Sequence, residues 1–322
     1  MIRVSFSDDW FYSRKELDDP RLGDVVKAIT LEELAQSEWD WVLIGFPDDR
    51  GIVLNQGRPG AGEGPNAVRR AFYRLVPPWQ SIRIADLGNL VMTESLTTDH
   101  SAGSYLIAQA LASSRRVAVI GGGHDWGFAP IDAQAHSSNL LAKQTQKKAR
   151  EPRVGFINFD AHLDVRVSNI PHSGTPFWRA LETHIRGEDA LWFGVQASSL
   201  ARTHREYVVA KGGRIYLADA DLTETRKSFL RDAMSLLERC DGVDVSLDMD
   251  VFKMAEAPGV SAPQPLGLEA REVVGLLREI LRSHKVRTFG VYETSPPHDP
   301  TGITSRLAAR CLWESMVTLT EN

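Results

Sequence analysis

Residues 157–166 read INFDAHLDVR, so Asp160, His162 and Asp164 follow an apolar run at every second position, with Arg166 two residues beyond. Two carboxylates and an imidazole at the end of a strand are expensive to bury unpaired, which points to a cation among them. Fully extended, Asp160 and Asp164 would stand about 13 Å apart at roughly 3.3 Å per residue. Ligands of one ion, with bonds of about 2.1 Å, cannot be so distant. A shared ion therefore requires the strand to end near Asp160 and the chain to curl back. Asp248 and Asp250, in DMD at 248–250, would lie on one face and span about 7 Å if extended. That span is compatible with two ions about 3.5–4 Å apart, the spacing of two-metal hydrolases.

His124, from GGGHD at 121–125, completes the ligand inventory: His124, Asp160, His162, Asp164, Asp248 and Asp250. Four carboxylates offset the charge of two divalent ions, and neutral imidazoles fill the shells without adding any. An oxygen-rich set with two imidazoles suits a pair of Mn2+ ions better than the thiolate shells of structural zinc. Water shared by two such ions loses a proton near neutral pH, giving a hydrolytic nucleophile without serine or cysteine. Taken singly, each segment has a plainer alternative. GGG is also a tight turn, a lone histidine is often structural, and an acidic pair can end a strand or cap a helix. Their coincidence at strand ends is what carries the metal reading.

Eight short apolar runs must position these groups: 41–46, 82–87, 116–121, 153–159, 190–195, 214–219, 243–249 and 287–293. Helical patterns separate them, near 65–75, 100–114, 126–146, 176–185, 202–211, 222–239, 268–282 and 304–319. Pro65 suits a first helical turn, where its missing N–H is not needed. Apolar strands without alternation, joined by helices, predict an α/β fold with a parallel sheet covered on both faces. Such sheets place ligands beyond the carboxyl ends of their strands. Those ends carry GGGHD, DAHLD, DMD and ETSPPHD (293–299). No repeat or linker divides the chain, so one catalytic domain over 1–322 is expected, with 1–40 as an N-terminal extension packed on it. The polar interval 136–153 reads as a helix end plus a surface loop.

The 322 residues carry a net charge of −5 with a pI near 6.0, and 43% are hydrophobic. This gives no basic stripe for nucleic acid. The two cysteines, Cys240 and Cys311, share no metal or redox spacing, against a disulfide scaffold. The charged first residues lack an apolar signal core, and no stretch reaches the roughly 18 apolar residues of a membrane span. A cytoplasmic protein is the expectation, with neither nucleic acid nor membrane as partner.

GGGHD, INFDAHLDVR, SLDMDVF (246–252) and VYETSPPHD (291–299), in this order, resemble the motif set of the ureohydrolase family of arginases, agmatinases and formimidoylglutamases. The likeness runs from about residue 45 to the C-terminus. It implies a three-layer α/β/α fold around an eight-stranded parallel sheet, and a binuclear manganese site. By motif, His124, Asp160, Asp164 and Asp248 would hold one ion. Asp160, His162, Asp248 and Asp250 would hold the other, so Asp160 and Asp248 both bridge. Glu293 matches the family's acid that pairs with the substrate's planar cation, a partner suited to a bidentate carboxylate. The resemblance leaves a homo-oligomer open, with no interface legible in the sequence.

DAHLDVR, SGTPFWRAL (173–181) and GVQASS (194–199) are most similar to the formimidoylglutamase branch. That branch hydrolyses N-formimidoyl-L-glutamate to glutamate and formamide in histidine breakdown. Arg166 stands where arginases have asparagine, and its fork suits a substrate carboxylate. Phe177 takes the place of the arginase proton-shuttling histidine, and His172 is a candidate substitute. In the implied reaction hydroxide attacks the formimidoyl carbon, Glu293 holds the amidinium, and Asp164 passes a proton to the departing nitrogen. An ion pair of Arg166 with Asp164 or Asp125 is the structural alternative. Arg58, in the Gly-Pro-rich rim segment 55–65, is a second candidate for a carboxylate, with a structural salt bridge as its alternative. Asp299 is expected to cap the last helix. The rival activity is urea release from a guanidino acid such as guanidinobutyrate, by an enzyme like guanidinobutyrase, agmatinase or arginase.

Overall fold

The computed structural model describes residues 2–145, 151–220 and 222–320. The eight expected strands form as β3 (Trp39–Gly45), β4 (Ile84–Leu90), β5 (Ser114–Ile120), β6 (Val154–Phe159), β7 (Ala190–Val195), β8 (Arg214–Leu217), β9 (Gly242–Asp248) and β10 (Val286–Tyr292). Two further strands of two residues each, β1 (Val4–Ser5) and β2 (Lys27–Ala28), come from the N-terminal segment. The single sheet runs β1-β4-β3-β5-β10-β9-β6-β7-β8, with β2 also pairing β4. All pairings are parallel except β1 with β4. The eight-stranded expectation is thus extended to ten. Two residues are too few for periodicity to reveal a strand.

Three short helices, α1 (Leu22–Val25), α2 (Leu31–Leu34) and α3 (Arg50–Leu54), precede eight longer ones. These are α4 (Gly64–Phe72), α5 (Leu96–Ser113), α6 (Phe128–Thr145), α7 (Pro176–Thr183), α8 (Arg202–Lys211), α9 (Leu222–Arg239), α10 (Ala270–Leu281) and α11 (Ile303–Thr320). Strand residues alternate between the two helical layers. Trp41 and Leu43 join the core under α4, α9, α10 and α11. Val42 and Ile44 join the core under α5 and α6, which continues under α7 and α8. Two apolar faces per strand explain why the sequence shows runs rather than alternation. Residues 146–150, within the expected surface loop, lie outside the described residues.

The N-terminal segment is tied down by β1, by β2 and by buried Trp10 and Leu22. The Arg69 guanidinium lies 4.5 Å from the Trp10 ring centroid, and Asp9 pairs with Arg70 at 2.6 Å. No helix among the described residues is long and apolar enough to cross a membrane. For chemistry, the central feature is that β5, β10, β9 and β6 are consecutive neighbours. Their carboxyl ends deliver GGGHD, Glu293, Asp248 and Asp160 to one edge.

Candidate metal centre

β6 stops at Phe159, and the chain then turns as a shared ion would require. Asp160 N still donates to Phe193 O on β7 at 3.0 Å. His162 N then donates to the Asp160 carboxylate at 2.6 Å, closing the first bend. Asp164 completes the reversal with φ +50°, a left-handed conformation that costs a non-glycine residue about 1–3 kcal/mol. The turn is held from both sides. Trp192 Nε1 donates to Leu163 O at 2.9 Å, and Phe177 N donates to Asp164 O at 3.2 Å.

The DMD segment turns as well, instead of staying extended. Asp248 ends β9, and its Oδ1 accepts from Asp250 N at 2.8 Å, which opens a 3-10 turn over Met249–Val251. Asp250 is thereby folded back beside its neighbour, and Ala161 N donates to its Oδ1 at 3.3 Å. After β5, a Cβ on Gly122 would sit 2.0 Å from Asp48 O, so only glycine lets the chain pass there. Beyond that passage His124 is clamped between Tyr292, stacked at 4.9 Å, and the edge-on Phe177 ring at 5.4 Å.

His124 Nε2 lies 2.8 Å from Ser246 Oγ. With Nε2–H donating there, the lone pair of Nδ1 faces the acids. Nδ1 stands 3.1 Å from Asp160 Oδ2, 3.1 Å from Asp164 Oδ2 and 3.0 Å from Asp248 Oδ2. Adjacent ligands of an octahedral ion with bonds of about 2.1 Å are about 3.0 Å apart, so these spacings fit a divalent cation. His162 Nδ1 lies 3.0 Å from Asp250 Oδ2 and 3.4 Å from Asp160 Oδ1, a second convergence of the same kind. The donor atoms thus form two groups, His124–Asp160–Asp164–Asp248 and Asp160–His162–Asp250. Asp160 belongs to both. Asp248, expected to bridge as well, converges only in the first, and its Oδ1 accepts from Asp250 N.

Electrostatics also favour a cation. Burial, then the Asp160 carboxylate, push the Asp164 carboxyl up to about 6. Burial, then Asp250 and Asp160, hold Asp248 well above the carboxylate range. Positive charge placed among them would relieve both the desolvation and the mutual repulsion.

Glu293 follows β10 with φ +66°, the same strained region as Asp164. Its Oε1 accepts from His124 N at 2.9 Å, while buried Oε2 has no hydrogen-bond partner among the described residues. It faces a cavity of about 200 Å3 shared with His162, Asp164, Arg166, Asp248 and Asp250. Arg166 is exposed at that cavity, and among the described residues no carboxylate lies within 4 Å of its guanidinium. Asp125, its structural alternative, pairs instead with His100 at 2.8 Å.

Two sequence expectations need revision. The Arg58 guanidinium donates to Val260 O at 2.7 Å and Ser261 O at 2.9 Å, and it does not line the cavity. Arg58 helps to hold the rim segment that carries Ser261 and Ala262, through carbonyls and with no salt bridge among the described residues. His172 accepts from Gly174 N at 3.2 Å and lines the neighbouring 650 Å3 cavity, apart from the acids. Burial, then Arg166, hold its pKa below the usual imidazole value, which disfavours a protonated acid at neutral pH. Asp299 does serve the last helix, accepting from Ser305 N at 3.0 Å.

The sequence reading missed Asn158 and Ser246. Asn158 Nδ2 donates to Asp160 Oδ2 at 3.0 Å, and Ser246 positions His124. The two are register partners on β6 and β9. Each is a polar residue two positions before a ligand aspartate, on the same strand face, and that spacing was the available signal.

A family model described as the arginase family matches residues 39–318. A formimidoylglutamase of Salmonella paratyphi A is 31% identical over 314 residues, covering 95% of each chain. The crystal structure of Trypanosoma cruzi formiminoglutamase with Mn2+2 superposes with a TM-score of 0.80 at 29% identity, covering 94% of this chain and 98% of that one. Formimidoylglutamase from Bacillus subtilis shares the fold, with a TM-score of 0.81 at 24% identity over 97% of this chain and 95% of its own.

Proposed function

Because this chain belongs to the arginase family, we propose that it is a binuclear manganese hydrolase of linear amidines that cleaves N-formimidoyl-L-glutamate to glutamate and formamide. The observation that carries the substrate is the unpaired Arg166 guanidinium at the mouth of a cavity walled by acids. A cationic amidine is drawn to the acids, and a carboxylate at its other end meets the fork of Arg166.

His124, Asp160, Asp164 and Asp248 would hold one Mn2+, and Asp160, His162 and Asp250 the other. When bound, the ions lower the pKa of a water molecule toward neutrality and so supply hydroxide. Glu293 receives the amidinium through Oε2, while Oε1 stays anchored on His124 N. Asp164 takes the proton left when the new C–O bond forms and delivers it to the glutamate nitrogen as the C–N bond breaks. Glutamate thus departs with a neutral amine, and the former amidine carbon leaves as formamide. Arg166 holds a glutamate carboxylate and so fixes the formimidoyl carbon at the acids.

The test is a panel of N-formimidoyl-L-glutamate, guanidinobutyrate, agmatine and arginine on manganese-loaded protein, scored for formamide, ammonia and urea. Formamide and glutamate in equal amounts are expected from the first compound. Urea from a guanidino substrate as the main product would replace this reading with the rival one.

A further inference from the structure

Away from the cavity, α6 and α7 bring a second set of metal-binding side chains together. Asp132 and His136 lie one turn apart on α6, and His184 ends α7. His184 Nε2 stands 2.8 Å from Asp132 Oδ1, and His136 Nδ1 stands 3.3 Å from the same oxygen. The two imidazoles meet edge-on with centroids 5.2 Å apart, and His184 stacks on Phe128 at 5.8 Å, which fixes its ring. All three donor atoms lie within 4.8 Å of one another. Asp132 and His184 are half-buried and His136 is exposed, so the group is both pre-positioned and open to solvent. Arg179 approaches from α7 with no ion pair among the described residues, its guanidinium 4.0 Å from the Phe128 ring centroid.

We propose that Asp132, His136 and His184 form a separate divalent-metal site, suited to zinc, that ties α6 to α7. Tetrahedral zinc with bonds of about 2.0–2.1 Å sets neighbouring donors about 3.3 Å apart. The His136–Asp132 spacing already meets this, and the His184–Asp132 contact needs to open by about 0.5 Å. Two imidazoles and one carboxylate favour zinc, copper or nickel over manganese by ligand type and by the Irving–Williams order. His136 Nδ1 also lies 2.9 Å from Asp132 O, so a bound ion replaces the proton of that contact. The two helices are those that leave the candidate centre. α6 starts four residues after His124, and α7 packs Phe177 against the His124 ring.

The experiment dialyses manganese-loaded full-length protein, in excess free manganese, against graded zinc, with both elements measured. The parent chain is expected to take up one zinc per chain while keeping its manganese, and to melt several degrees higher. His136→Gln and, separately, His184→Gln are expected to bind zinc at least tenfold more weakly, with manganese content unchanged and no zinc-dependent rise in melting temperature. His136 is exposed, so its variant tests the site without disturbing the core. No zinc uptake, uptake only by displacement of manganese, or equal affinity in the parent and both variants would each overturn the proposal.

Discussion

Asp160 is the one carboxylate common to both convergent groups, with Asn158 Nδ2 and His162 N already donating to it. Asparagine at this position keeps the shape and loses the charge that two cations share. Asp160→Asn is therefore expected to lower bound manganese from two ions per chain to one or none, read by elemental analysis. Retention of both ions would refute the ligand scheme. Arg166 tests the other end of the substrate. A charge-assisted contact contributes about 1.5–3 kcal/mol, so Arg166→Met should raise KM for N-formimidoyl-L-glutamate by roughly 10- to 100-fold. An unchanged KM would remove Arg166 from carboxylate recognition. The ligands were legible because charged residues directly after apolar runs have few structural uses. Arg58 was not, because its partners, the carbonyls of Val260 and Ser261, lie about two hundred positions away in sequence.

At the level of elements, the Arg58 guanidinium ties the rim at two carbonyls, beside the Thr304 Oγ1 and Ser295 N contacts that hold Gly259. Arg58→Ala removes the donors that fix Val260 and Ser261, and Arg58 touches no ligand group. Amide exchange over 259–262 should quicken at least tenfold, KM should rise severalfold, and metal content should stay constant. Exchange left at the parent rate would show that other contacts suffice. Eight strands and eight helices could be read from period and length, because strands buried on both faces make continuous apolar runs. The turns that bring Asp164 and Asp250 back could be inferred only in part. Curling after Asp160 followed from the reach of a metal bond, whereas DMD alone gave no sign of leaving the strand.

Across the whole molecule, Asp244 couples stability to pH. It is fully buried on β9, hydrogen-bonded by the Thr288 hydroxyl, and burial pushes its pKa up to about 7. Native protein therefore keeps this proton between about pH 4 and 7, where an unfolded chain releases it. The resulting stabilisation is full below about pH 4 and is lost as pH rises through about 7. Asp244→Asn, which mimics the protonated acid, should remove that slope and gain on the parent by on the order of 1–4 kcal/mol at pH 8. Denaturant titrations at pH 5 and pH 8 with manganese present check this, and parallel pH dependence of both proteins would contradict it. Sheet order has a consequence for synthesis. β5 and β6 are not neighbours, because β10 and β9 are inserted between them. A nascent chain that has emerged only through β8 holds two half-sheets with no strand to join them, and His124 has yet to meet Asp160. Metal loading must then wait for the last quarter of the polypeptide, and a ribosome-arrested chain ending before Gly242 should capture no pair of metal ions.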